Sequence, residues 1–279
     1  MKPILKYPGG KRLEIKHFAH LIPPHHTYIE PFLGGGAVFF YLEPKRAIVN
    51  DLNTPLMRFY REIQAYYPQI EKELKKLHQI WEKNKEQFLT ISCQDDPNER
   101  FYYQMREDFN QQNFSYYSFA TIFYALNKLS FSAVRFNAKG ENNVPYGHRA
   151  SFAQVLHQGH QELLQQAQIE NIDYAEIFKQ AKADDFIFLD PPYDTRFTNY
   201  GNTVDFKEDE QRRLAEDFKN LGAKALLIIG ETQLTDELYG KYLFGAYEKR
   251  YAHRSGKQGE NLKKTNTHLI VSNYLNRRT

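Results

Sequence analysis

Asp190-Pro191-Pro192-Tyr193 follows the apolar run Phe186 to Leu189. Two successive prolines fix the backbone and remove two hydrogen-bond donors. The Pro191 carbonyl is then free to point into a site as an acceptor, beside the Asp190 carboxylate and the flat face of Tyr193. Two acceptors next to an aromatic plane suit a planar amine, bound by its hydrogens at the edge and stacked on its ring. Three further segments carry chemistry: Lys6-Tyr7-Pro8-Gly9-Gly10-Lys11, Glu30-Pro31-Phe32-Leu33-Gly34-Gly35-Gly36 and Asn50-Asp51-Leu52-Asn53. A glycine-rich turn lets a ligand approach the backbone and aims helix N-terminal amides at anionic groups. Asp51, ending the next strand, is placed to accept hydrogen bonds from ribose hydroxyls. The glycines do not fit G-x-G-x-x-G, because Phe39 occupies the last position, so a nucleotide-linked dehydrogenase is a weak reading.

These segments need a scaffold. Thr27 to Glu30 reads as a strand, the glycines open a helix-like piece through Leu42, and Ala47 to Asp51 is a second strand. That is the order of one βαβ unit of a parallel sheet. From Pro55 to about Phe88 the chain is Gly-free, with Leu56, Phe59, Tyr60 and Ile63, then Ile70, Leu74, Leu77 and Ile80, at helical spacing. Residues 101–129 are again helical in character, and 137–151 read as an exposed loop or hairpin. Strand character returns at 168–172, 186–189 and 225–229, with a charged helix over about 207–221. Residues 244–251 and 268–274 are candidates for a closing antiparallel pair. The expected architecture is α/β: a sheet from residues 1–54 and 165–279, interrupted by a mainly helical insertion, 55–164.

The chain has 279 residues, 41% of them apolar and 25% charged, which excludes disorder as a whole-chain explanation. Its longest aliphatic stretch, Ala225 to Ile229, is far short of the roughly 20 residues a membrane span needs. No membrane partner is expected, and a lone cysteine, Cys93, makes a reducing, cytoplasmic home the simplest reading. It also excludes a multi-cysteine zinc site. His25-His26 and the His157, His160 pair lack an acidic partner, so no metal is expected. The net charge of +3 hides an uneven distribution: residues 1–60 and 241–279 are basic, and 161–240 are acidic. Two basic ends suit a polyanion-binding face.

In this order, and across essentially the full chain, the segments resemble Dam-type (class alpha, D12) DNA adenine-N6 methyltransferases, which use S-adenosylmethionine. That family shows K-(W/Y)-x-G-G-K, then E-P-F-x-G-x-G, an acid after the second strand, a helical target-recognition insertion, and D-P-P-Y. Arg135 to Gly147, reading RFNAKGENNVPYG, is close to the family's R-x-N-x-x-G-E-F-N-V-P-F/Y-G. The resemblance implies a Rossmann-like methyltransferase sheet acting on double-stranded DNA, with a cognate restriction endonuclease as a further candidate partner. It implies that Tyr7 and Lys11 contact the cofactor, Lys11 near its carboxylate. Glu30, Pro31, Phe32, Gly34 and Gly36 would form the cofactor turn, Asp51 would hold the ribose, and Asp173 with Tyr174 would flank the adenine of the cofactor. Asp190, also beside the cofactor, would with Pro191, Pro192 and Tyr193 form the catalytic segment that holds the target base. Departures fall in the recognition segment. Phe131-Ser132-Ala133-Val134-Arg135 is one residue shorter than the family's F-N-G-L-(Y/W)-R, and Asn142 replaces a Phe before Asn143.

A base buried in a duplex must be flipped out before its amine can react. Reading of base edges is expected from 135–147: Arg135 or Lys139 can address guanine and Asn137 adenine, with Asn143 a further DNA contact. Arg196, Asn199 and Tyr200 are candidates to hold the flipped nucleotide. Phosphate contacts are expected from Lys2, Lys6, Lys11 and Arg12 at one end and Lys249, Arg250, Arg254, Lys257, Lys263 and Lys264 at the other. The same chemistry on RNA adenine or DNA cytosine is the nearest alternative. Cytosine enzymes usually show Ser before P-P-Y, and the R-x-N-x-x-G-E segment is not expected of RNA enzymes. The carbon-5 cytosine route needs a cysteine nucleophile, for which Cys93 is poorly placed. A non-catalytic DNA-binding protein on this scaffold is disfavoured by intact Lys11, Asp51 and Asp190 to Tyr193.

Overall fold

The computed structural model describes residues 1–91, 96–137, 139–148, 152, 155–193, 206–251 and 264–275. Three short 3-10 turns, Lys11–Leu13, Ile15–His17 and Ala19–Leu21, lead into β1 (Tyr28–Glu30), α1 (Ala37–Leu42) and β2 (Ala47–Asn50). Four helices follow: α2 (Thr54–Ile91), α3 (Pro97–Asn110), α4 (Phe119–Leu129) and α5 (Gln158–Gln165). The chain then returns to the sheet with β3 (Ala167–Glu170), α6 (Tyr174–Phe178), β4 (Phe186–Leu189), α7 (Glu208–Lys219) and β5 (Lys224–Gly230). It closes with α8 (Gln233–Tyr239), β6 (Leu243–Tyr251) and β7 (Lys264–Ser272).

The seven strands form one sheet in the order β3-β2-β1-β4-β5-β7-β6. The first five run parallel, and β7 pairs antiparallel with both β5 and β6. Successive side chains point to opposite faces of a strand. In β4, Phe186 and Phe188 therefore join one apolar cluster and Ile187 and Leu189 the other. The first cluster also holds Phe59, Tyr60, Phe123 and Leu126 from α2 and α4, so the inserted helices share their core with one face of the sheet. Phe218 and Tyr239, from α7 and α8, cover the opposite face.

Several boundaries differ from the sequence reading, each for a local reason. The long helix α2 is kinked at Tyr66 (φ −127°, ψ 23°), two residues before Pro68. Proline cannot donate to the residue one turn back and its ring crowds that carbonyl. The helical stretch 101–129 is two helices, because Gln112 turns left-handed (φ 56°) and the Ser118 hydroxyl caps a new start by accepting from Thr121 N. The exposed loop or hairpin expected over 137–151 is part of a hairpin, but not simply an exposed one. Isolated antiparallel bridges join Ser130 to Tyr146 and Phe136 to Asn142, and Asn142, Val144 and Tyr146 are buried. Asn110 and Tyr102 of α3 hold this hairpin: Asn142 N donates to Asn110 Oδ1 at 2.8 Å, and Tyr102 OH to the Val144 carbonyl at 2.8 Å. Asn127, at the end of α4, brackets Lys6, accepting from its N–H at 2.8 Å and donating to its carbonyl at 2.9 Å. The hairpin is thereby tied to the segment that carries Tyr7 and Lys11.

Candidate active site

The chain leaves β1 toward β2 and β3 on one side, and later enters β4 on the other. Ligands of open parallel sheets bind at such a switch point, beyond the carboxyl ends of the strands. A cavity of about 510 Å³ lies there, a size suited to a cofactor-sized molecule. Its walls include Glu30 from the end of β1, Asp51 after β2, and Asp190 with Tyr193 after β4.

Gly34 has φ +49°, a left-handed backbone that side chains disfavour. A Cβ there would stand 2.8 Å from the Tyr7 ring, and one on Gly35 would stand 2.7 Å from Tyr7 Cβ. The bare turn thus makes room for Tyr7 as well as for a ligand. Gly36, by contrast, sits at the start of α1 and does not line the cavity. The Asp51 carboxylate holds the turn, accepting from Gly34 N at 2.8 Å and from Asn53 N at 2.9 Å. Burial pushes its pKa upward against those two hydrogen bonds. Glu30 is buried more deeply. Burial raises its pKa to about 8, helped by the nearby Asp190 and Asp51 charges and opposed by hydrogen bonds from Tyr28 OH and Phe39 N.

Asp190 receives the Lys11 ammonium at 2.6 Å. Burial raises the Asp190 pKa while Lys11 pulls it down. Lys11 is itself only 3% exposed and stands 5.0 Å from the Tyr193 ring centroid. The sequence reading put Lys11 near a cofactor carboxylate; here it lines the cavity and is paired with Asp190, because burial of either charge alone is costly. Pro191 is buried, and the Pro192 carbonyl accepts from the buried Gln211 at 2.8 Å, which fixes the turn behind Asp190. At the far end, Phe32 packs against Tyr174 at 5.4 Å and edge-on to Phe206 at 5.8 Å, making an aromatic corner in the cavity wall. Such a corner suits a flat heterocycle.

Residues 7–253 match the family described as D12 class N6 adenine-specific DNA methyltransferase. The chain belongs to this family. It is 33% identical over 283 residues to the Type II methyltransferase M.CviBI of Paramecium bursaria Chlorella virus NC1A, covering 98% of this chain and 100% of that one. It is 29% identical to the Type II methyltransferase M.MjaIII of Methanocaldococcus jannaschii, over 98% of this chain and 99% of that one. The DNA adenine methylase of Vibrio cholerae is 28% identical, over 85% of this chain and 84% of its own. The α/β sheet with its parallel strands is accordingly a Rossmann-like methyltransferase fold, and the chain is an adenine-specific DNA methyltransferase.

Within this D12-class enzyme the expected site residues do not all converge. Tyr7, Lys11, Glu30, Pro31, Phe32, Gly34, Asp51, Tyr174, Asp190, Pro191, Pro192 and Tyr193 all line the one cavity. Asp173 does not: its carboxylate caps α6 through Ala175 N at 2.9 Å and pairs with Arg213 at 2.7 Å, leaving Tyr174 as the cavity-facing neighbour. Arg135 is exposed at the cavity mouth, and Lys139 and Asn143 are exposed on the hairpin. Asn137 is spent locally. Its carboxamide accepts from Lys139 N at 2.9 Å and Glu141 N at 3.0 Å and donates to the Glu141 carboxylate at 2.9 Å. Arg196, Asn199, Tyr200, Arg254, Lys257 and Lys263 lie outside the described residues. Sequence reasoning missed Phe206 and Asn266 in the cavity wall, gave Asn50 no role of its own, and expected Lys249 on DNA phosphates, whereas it lines the cavity and pairs with Glu14. Asn50 was legible from its place beside Asp51: it ties the strand ends by donating to the Pro31 and Ile172 carbonyls, both at 3.0 Å. Phe206 had no motif to mark it. Among the described residues, no group of His, Cys, Asp and Glu could hold a metal ion, and no helix is long and apolar enough to cross a membrane.

Proposed function

We propose that this enzyme methylates the exocyclic N6 of an adenine flipped out of a short, specific duplex DNA sequence, with S-adenosylmethionine as donor. The observation that carries the reading is the convergence of Asp190 and Tyr193 with the glycine turn, Glu30 and Asp51 on one cavity. The cavity fits the donor: an aromatic corner for a heterocycle, carboxylates for ribose hydroxyls, and acidic walls for a cation. S-Adenosylmethionine would supply an activated methyl on a cationic sulfur. Glu30, Pro31, Phe32, Gly34, Asp51 and Tyr174 would hold it, with Tyr7 packed across the turn.

The protein's work is positioning. Tyr193 stacks on the extruded adenine. The Asp190 carboxylate and the Pro191 carbonyl accept the two amine hydrogens, which draws the nitrogen lone pair out of the ring and toward the methyl. Lys11 pulls the Asp190 pKa down against burial, which pushes it up. Residues 1–54 and 165–279 act as the catalytic part and 55–164 as the target-recognition insertion. Its hairpin offers Arg135, Lys139 and Asn143 to DNA. The working compartment is the cytoplasm, where DNA and donor meet. Relatives named Type II methyltransferases support a restriction endonuclease of the same specificity as partner.

Incubation with methyl-labelled S-adenosylmethionine and plasmid DNA, followed by single-molecule sequencing, tests the reading. Label in adenines within one short recurring sequence is expected. Transfer to no adenine in DNA of varied sequence overturns it.

A further inference from the structure

The strand pair β6–β7 presents a row of side chains to the back of the catalytic turn. Tyr247 and Lys249 are two residues apart on β6, so they share a face. His268 lies opposite Tyr247 and Asn266 opposite Lys249 in the antiparallel register. Tyr247, Lys249 and His268 converge on Glu14, whose carboxylate is buried three residues after Lys11. Tyr247 OH donates to Glu14 Oε2 at 2.8 Å, Lys249 pairs with Oε1, and His268 Nδ1 stands 2.7 Å from Oε2. With its partners' hydrogen bonds and the positive charges of Lys11 and Lys249 outweighing burial, Glu14 stays ionised down to a pKa of about 2. His17 stacks on Tyr247 at 4.6 Å, closing the other side.

The ring of His268, 1% exposed, meets the Tyr193 ring edge-to-face at 5.1 Å. Gly230 borders the same ring: a Cβ there would stand 3.4 Å from it. Tyr193 therefore rests in a slot built by Lys11, His268 and the backbone of β5. One wall of the slot is set by a carboxylate that neither the donor nor the base needs. The Glu14 carboxylate, 2.7 Å from Nδ1, fixes the angle of this buried imidazole against the aromatic ring.

We propose that Glu14 and His268 are positioning residues for methyl transfer, acting through Tyr193: Glu14 orients His268, and His268 holds Tyr193 in the attitude that receives the flipped base. This rests on the role assigned to Tyr193 above. An edge-to-face aromatic contact that preorganises a stacking ring governs the transfer step more than donor binding.

The test is a double-mutant cycle read by single-turnover methyl transfer on the enzyme's own target duplex, with donor affinity measured separately. His268→Ala is expected to slow transfer roughly tenfold, with the dissociation constant for S-adenosylmethionine within about twofold. His268→Phe, which keeps a ring in the same place, should recover most of the rate. In a Tyr193→Ala background, His268→Ala should add little further loss, since its route of action is gone. If His268→Ala does not fold, the same cycle with Glu14→Gln decides, a several-fold loss that vanishes in the Tyr193→Ala background being expected. Unchanged transfer in these variants, or equal losses in both backgrounds, overturns the proposal. A wild-type enzyme that modifies no adenine overturns instead the reading on which it rests.

Discussion

Among single residues, three carboxylates around one cavity are held in three different ways. Asp51 is tied by backbone amides, Asp190 by an ammonium, and Glu30 by a phenol and one amide. Asp190 is the one in reach of a target amine under the proposed mechanism. Asp190→Ala should lower transfer by at least about 100-fold while donor binding survives, as radiolabel transfer and equilibrium binding together will show. Glu30 makes a prediction about pH. Its pKa rises from 4.5 to about 8 on folding, so the folded protein holds a proton there that the unfolded chain has lost. Its contribution to stability is complete below pH 4.5 and is lost as pH rises through about 8. Melting of wild type and Glu30→Gln at pH 5 and pH 9 should show the variant gaining by roughly 2–6 °C at the higher pH relative to the lower. An equal offset at both values would contradict the assignment. At this scale the sequence was legible where chemistry demands a rare combination, as in Asp190 to Tyr193. It was silent on Phe206, His268 and Glu14, whose roles come from neighbours that are distant along the chain.

Secondary-structure elements were readable in proportion to their periodicity. The βαβ start, the apolar strands β4 and β5 and the charged α7 are local patterns, and all appear within a few residues of where those patterns place them. What was not readable is what depends on tertiary partners. Residues 137–151 read as an exposed loop or hairpin, yet Asn142 and Tyr146 are buried because α3 supplies their partners. Asn137 shows the same limit: its type suits adenine recognition, but its carboxamide closes the hairpin tip. That leaves Lys139 as the exposed base-reading candidate at the tip. Lys139→Ala should reduce discrimination between target and mismatched duplexes by roughly tenfold, with affinity for random DNA nearly unchanged. Equal losses on both would count against base reading.

For the molecule as a whole, the uneven charge acquires a geometry. The two basic ends meet where Glu14 pairs with Lys249 and where the Tyr274 hydroxyl donates to the Leu21 carbonyl at 2.8 Å. Arg12 is exposed beside this junction. Arg12→Ala should weaken binding to target and random DNA alike and reduce the salt slope by about 1. Titrations at several ionic strengths measure this, and an unaltered slope would remove Arg12 from the phosphate-binding face. The strand order also decides how the fold is completed. β7 separates β5 from β6, although it is made after both. A chain in which β7 has not yet docked therefore holds an open β5 edge, the kind of surface that invites pairing with another chain. It also lacks the His268 wall of the Tyr193 slot. The nine residues of β7 close the sheet and complete that slot in a single event. Docking of β7 thus covers the edge that invites aggregation and finishes the Tyr193 slot together.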